Sequence, residues 1–345
     1  MSLTKIVRLA GLLLFVGVLS LLLWLDRVLD RPFVYPGTST FEISSGSGIS
    51  AIARQLQREN ILTAPAWTFV IYARITSRRG YLQAGEYRLG QDDNIRTLVQ
   101  KLRTGQTLQH TITLPEGLTV AEWSERLSAD SRLLQPETGL TTRAIEQYLD
   151  LTGNLEGLFF PDTYAFHRGT NALEIFNRAQ QRMARVVNEE WAFNENPVLK
   201  SPADVLVLAS IVEKETGVEE DRQFVASVFT NRLKTGMKLQ SDPTVIYGIP
   251  DFDGDITRKH LREPTLYNTY VIPGLPPTPI ANPGLASIRA VLHPVDTDYF
   301  YFVAKGDGRS YFSQTLEEHN RAVRQFQLQR RSSEYRSAPK QPVDQ

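Results

Sequence analysis

Residues 41–56 read FEISSGSGISAIARQL, and the hydrophobic period changes once along them. Phe41 and Ile43 alternate with polar neighbours, as in a half-buried strand. After Ser47 and Gly48, residues Ile49, Ile52, Ala53 and Leu56 recur at i, i+3, i+4 and i+7, the apolar face of an amphipathic helix. Working outward, Pro65 opens a second helix running towards Ser77, with Gly80 closing it. Tyr81 to Leu89 (YLQAGEYRL) reads as a strand. Ile95, Leu98, Val99 and Leu102 mark a third helix ended by Gly105, and Leu108 to Leu114 (LQHTITL) alternates again as a strand. Strands and helices mixed in this way predict an α+β fold.

The strand–helix–helix–strand core, about Ser39 to Leu89, has the size and order of a LysM-like module, a kind that binds N-acetylglucosamine-containing glycans. That order is common in small α+β domains, so a spacer with its own core is an equal reading. The expected LysM-like subdomain covers 39–114. Thr119 and Glu122 form a capping-box signature for another helix, and a second, larger α+β domain is expected over 115–330. The last residues, 331–345, are polar with two prolines and read as a disordered tail.

Towards the N-terminus, Leu9 to Leu25 is an uncharged run, LAGLLLFVGVLSLLLWL, preceded by Lys5 and Arg8. An apolar run of this length partitions into a bilayer as a helix. A cleaved signal peptide is the rival, but no small-x-small site follows Leu25. The expectation is an uncleaved anchor over 9–25, with 1–8 cytoplasmic by the positive-inside rule. Residues 26–38 are then a linker, and everything beyond lies outside.

The chain has 38 basic and 38 acidic residues, five histidines and no cysteine. Zero net charge gives no basic footprint for nucleic acid. Without cysteine there is no disulfide, thiolate metal site or cysteine nucleophile. The histidines (His110, His167, His260, His293, His319) lack metal-site spacing, so no metal or other cofactor is expected.

The chemistry concentrates after Ser201-Pro-Ala-Asp204, a helix start with Ser as cap and Pro in the first turn. The following VLVLASIVEKET is apolar almost to its end, as in a buried helix. Glu213 and Glu215, two residues apart on that helix, point about 200° apart and cannot share a cleft. Glu215 shares a face with Leu208, Ile211 and Val212, which favours it as the more buried carboxyl. Burial against apolar surface raises a carboxyl pKa and lets it act as a general acid. An ordinary surface Glu-Lys-Glu at a helix end is the alternative.

The blocks LEGLFFPDTYAF (155–166), LASIVEKETGV, VASVFTNRLKTGMKLQSDPTVIYG, EPTLYNTYVIPGLPPTPIANPG and LHPVDTDYFYFVAKGDGRSYFSQTLEEHN (292–320) resemble the YceG-like endolytic murein transglycosylases. The likeness is strong over about Leu155 to Phe326. It implies a membrane-bound lyase of the bacterial periplasm. Such enzymes cleave the β-1,4 bond between N-acetylmuramic acid and N-acetylglucosamine within peptidoglycan strands, leaving 1,6-anhydro ends. The second Glu of the family's Glu-Lys-Glu falls on Glu215. One departure stands out: Thr278 occupies a position that is commonly glycine in the family, so the loop is expected to bend differently there.

The resemblance further implies an inner-membrane location, termination of nascent strands and work beside peptidoglycan synthases. Candidate substrate-binding residues are Gln240, Asp242 and Tyr247 in LQSDPTVIYG, and Tyr267, Asn268, Thr269 and Tyr270 in LYNTY. Asp162 and Tyr164 in FFPDTYAF are candidates for the other side. Glu156 is a second candidate active-site carboxyl, with a surface pair to an arginine as its alternative. For each aromatic, core packing is the competing fate, and Asp242 could equally be a cap. Two rival functions stay open: a hydrolytic muramidase using Asp242 or Glu156 as second carboxylate, and a non-catalytic wall-binding scaffold.

Overall fold

A computed structural model describes residues 3–34, 39–76, 82–250 and 252–328. The fold is mixed α+β and divides into two units. One comprises residues 1–111 and 165–170, the other 112–164 and 171–345.

The first unit begins with helix α1 (Leu3–Leu29). Among the described residues it is the one helix long and apolar enough to cross a membrane. The helix continues through Asp26–Leu29, where a linker was expected. Leu29 and Phe33 are buried in the core of the unit, and the Phe33 N–H donates to Asp93 O at 2.8 Å. Arg96 pairs with both Asp26 and Asp30. The cause is side-chain burial: Leu25, Val28, Leu29 and Phe33 all meet apolar partners in this core. Residues 35–38 of the expected linker lie outside the described residues.

Strand β1 (Ser39–Ile43) leads to α2 (Ile49–Arg58) and α3 (Ala66–Thr76), and β2 (Gly85–Leu89) returns antiparallel to β1. Ile52, Ala53 and Leu56 of α2 are buried, as the 3.6-residue period requires. Ser77, Gly80 and Tyr81, which the sequence assigned to a helix end and a strand start, lie outside the described residues. Strand β2 starts at Gly85, later than the sequence pattern suggests. Its partner β1 ends opposite it at Ile43. The Gln83 N–H donates instead to Leu102 O of the next helix, α4 (Ile95–Thr104). Gly105 closes α4 at φ 67°, a left-handed conformation that glycine adopts at little cost. Strand β3 (Gln109–Leu114) then pairs with β4 (Asp162–His167), distant in sequence.

In the second unit, α5 (Val120–Ser128) carries both reciprocal bonds of the Thr119–Glu122 capping box. Helices α6 (Thr142–Leu149) and α7 (Ala172–Trp191) follow. The centre of the unit is α8 (Pro202–Glu215), every residue of which from Val205 to Val212 is buried. Around it pack α9 (Glu219–Lys234) and α11 (Leu285–Leu292), with the short α10 (Asp242–Tyr247) between them in sequence. A hairpin of β5 (Tyr301–Ala304) and β6 (Ser310–Ser313), then α12 (Leu316–Val323), complete it. Phe302 of β5 meets Phe229 of α9 edge to face at 5.9 Å, seating the hairpin on the core. The expected tail, 331–345, lies outside the described residues.

Candidate active site

Ser201 caps α8 by accepting the Asp204 N–H, so the helix starts where the Ser-Pro signal placed it. Fourteen residues later the helix ends on its carboxyls. As the 200° separation demands, they leave in different directions. Glu213 turns to the start of α11: the Gly284 N–H donates to its Oε2 at 2.9 Å, and Arg222 lies 3.8 Å from its Oε1. Its side chain is only 4% exposed. Glu215 turns to a cavity. Glu213 is tightly enclosed too, so burial alone does not separate the two carboxyls. The neighbours of each carboxyl separate them, and a helical wheel does not contain those neighbours.

The cavity has a volume of about 350 Å³, within the range of small-ligand sites. Glu215, Arg232, Gln240, Asp242, Tyr270, Tyr301, Phe302, Leu316 and His319 line it. Arg232 comes from the last turn of α9, where it donates to Phe300 O and Leu239 O. Its guanidinium sits 5.5 Å from the centre of the Tyr301 ring. The backbone hooks at Gln240, which has φ 50°, a left-handed value unusual for a side chain of this kind. That hook is braced by Thr269: its carbonyl accepts the Gln240 N–H, and its hydroxyl accepts the Ser241 N–H at 2.9 Å. Ser241 is thereby presented to Glu215, and its Oγ donates to Oε1 at 2.5 Å.

Burial pushes the Glu215 carboxyl up to about 7. The Ser241 hydroxyl and the Arg232 charge pull the other way, and neighbouring Asp242 adds to the rise. A carboxyl with that pKa is populated in both protonation states near neutrality, as a group that first gives and then takes a proton must be. Tyr270 donates to Asp242 Oδ1 at 2.7 Å and fixes that second carboxylate at the cavity wall.

Of the residues singled out from sequence, Gln240, Asp242 and Tyr270 meet Glu215 in this lining. The others do other work. Thr269 is buried as the brace just described. Asn268, also buried, donates to His260 O and Glu263 O and ties its loop together. Asp162, half-buried at the start of β4, pairs with Arg182. Tyr247 and Tyr267 pack edge to face at 4.8 Å, and both hydroxyls lie within bonding distance of Asn154 Nδ2. Thr278 joins them, 2.7 Å from the Tyr267 hydroxyl. It avoids positive φ, so the loop accommodates this residue and gives its hydroxyl a partner.

Glu156 is buried beside α5, where both its oxygens accept the Val120 N–H, at 3.1 and 3.0 Å. Burial raises it to about 7 as well. It thus serves a helix N-terminus rather than the Glu215 cavity. Sequence reasoning did not single out Ser241, Arg232, Tyr301, Phe302, Leu316 or His319. All six stand in quoted blocks, but their residue types carry no signal apart from the fold.

An α+β unit whose buried central helix ends on a carboxyl with raised pKa, in a polar and aromatic cavity, has the parts of a single-acid carbohydrate-cleaving enzyme. The chain belongs to the YceG-like family, whose model matches residues 41–325. It is 33% identical over 308 residues to an endolytic murein transglycosylase of Bacillus subtilis, covering 84% of this chain and 85% of that protein. It is 28% identical to one from Streptococcus pneumoniae, over 82% of this chain and 57% of that longer protein. A 2.6 Å crystal structure of a YceG-like protein from Listeria monocytogenes matches with a TM-score of 0.53 and 32% identity, over 83% of this chain and 99% of that one.

Proposed function

We propose that the chain is an endolytic lytic transglycosylase of peptidoglycan, with Glu215 as its acid and then its base. The observation that carries this is the Glu215 carboxyl at the wall of the cavity, bonded to the Ser241 hydroxyl and raised by burial, against that bond, to about 7. Family membership and the names of the bacterial relatives supply the substrate class.

Protonated Glu215 donates to the oxygen linking C1 of N-acetylmuramic acid to C4 of N-acetylglucosamine, and the C1–O4 bond breaks. The muramoyl 6-hydroxyl then bonds to C1 and yields its proton to the Glu215 carboxylate, which restores the acid. Proton and atom balance close without water and leave a 1,6-anhydro end. Arg232 steadies the carboxylate form between the steps. Gln240 and Tyr270 supply polar contacts to acetamido or hydroxyl groups, and Tyr301 and Phe302 supply faces for sugar rings. Asp242 supports a second reading: a hydrolase would use such a carboxylate to position water.

Helix α1 is proposed as a single-pass anchor in the bacterial inner membrane, N-terminus inside, with both units in the periplasm. The β1–α2–α3–β2 order supports a LysM-like, glycan-binding reading of the first unit. The family resemblance adds termination of nascent strands and work beside synthases.

The test is mass spectrometry of glycan strands digested by the protein and by Glu215→Gln. Anhydro-ended internal fragments, lost in the variant, are expected. Reducing ends heavier by one water would replace the lyase with a muramidase. Binding without cleavage by either protein would leave a scaffold.

A further inference from the structure

Helix α3 carries two apolar faces. Phe69 and Ala73 are buried in the core of the first unit. Trp67, Ile71 and Ile75, spaced i, i+4 and i+8, point outward and are 44%, 41% and 77% exposed. A helix on a water-facing surface puts polar residues on that stripe. The stripe is also continuous with α1. Trp24, one residue before the end of the uncharged run, packs on Trp67 with ring centres 5.8 Å apart. Trp side chains near the end of a span settle at the headgroup level. The junction is stiff as well, because Leu29 and Phe33 are buried in the same core as Phe69 and Arg96 grips Asp26 and Asp30. The angle between α1 and α3 is therefore set by packing, not by a tether.

We propose that the Trp67–Ile71–Ile75 stripe lies in the interface of the bilayer that α1 crosses, so that two helices seat the first unit on the membrane. The inference rests on the reading of α1 as a membrane anchor. Its occupant is lipid: the apolar side chains meet the boundary between headgroups and acyl chains. Exposed Arg27, Arg31 and Arg74 supply cations for anionic headgroups nearby. The device holds the first unit at one height and tilt over the membrane.

The chain has no cysteine, so a single introduced thiol can be labelled cleanly. Full-length Ile71→Cys, Ile75→Cys, Leu14→Cys and Arg54→Cys would each carry a nitroxide in vesicles of phosphatidylethanolamine and phosphatidylglycerol. Their collisions with oxygen and with a water-soluble nickel complex are then compared by electron paramagnetic resonance. The expected result is loss of nickel collisions and gain of oxygen collisions at 71, 75 and 14, but not at 54. Labels at 71 and 75 that behave like 54, while 14 is in lipid, would overturn the inference and spare the anchor. Shielding from both reagents with spin–spin broadening would mean that a second copy covers the stripe, which also overturns it. Exposure of 14 to nickel would remove the anchor and the inference together.

Discussion

The Ser241 hydroxyl donates to Glu215 Oε1 at 2.5 Å, joining two residues 26 positions apart in the chain. The contact depends on the left-handed turn at Gln240, which aims Ser241 back at the end of α8. It favours the carboxylate form and so opposes the burial that raises the Glu215 pKa.

Replacing Ser241 with Ala removes that opposition. A hydrogen bond to a charged group contributes about 1.5–3 kcal/mol, so the Glu215 pKa should climb by about 1 unit or more. The pH–rate profile of strand cleavage should extend to higher pH, because the protonated acid that starts the reaction persists there. An unmoved profile would mean that Ser241 does not tune the acid.

Stability should fall as pH rises from about 4.5 to about 7. Glu215 and Glu156 both have a folded pKa of about 7 against an ordinary value of 4.5. The folded chain therefore holds more protons than the unfolded chain across that window, and deprotonation costs it stability. Each carboxyl contributes at most about 3 kcal/mol. Thermal midpoints of a Glu156→Gln, Glu215→Gln double variant should vary less with pH over this range than those of the parent. An equal slope would count against both raised values.

Glu156 should matter for folding rather than chemistry. Glu156→Gln keeps an oxygen for the Val120 N–H, so cleavage should persist and its products stay anhydro-ended. Glu156→Ala leaves that buried N–H unpaired, costing about 1–3 kcal/mol. Loss of cleavage in a stably folded Gln variant would point to a second reacting carboxyl.

Gln240→Gly should relieve the left-handed backbone, stabilising the fold by about 1 kcal/mol, while KM for glycan strands rises as the side chain leaves the cavity. Thermal unfolding and KM are read on the same sample. A lower midpoint would show that the glutamine side chain contributes more than the turn costs.

Local physics was legible in the sequence. The helix starts at Ser201 and Thr119, the stop at Gly105, the alternation around Phe41 and the apolar run after Leu9 depend on residues a few positions apart. The pairing of β3 with β4, and the burial that continues α1 into its unit, depend on distant partners and did not show. Helices α6 and α7 have no counterpart among the elements read from the sequence.

In the same way, the sequence by itself determined that Glu213 and Glu215 diverge, because 100° per residue is a property of any α-helix. Which one meets Ser241, Arg232 and Tyr270, and which is sealed against Gly284, was decided only by the tertiary structure. Their environments are assembled from α9, the Gln240 turn and the segments beyond residue 269. The chemistry of a carboxyl follows from what desolvates and pairs with it, and those neighbours lie far along the chain.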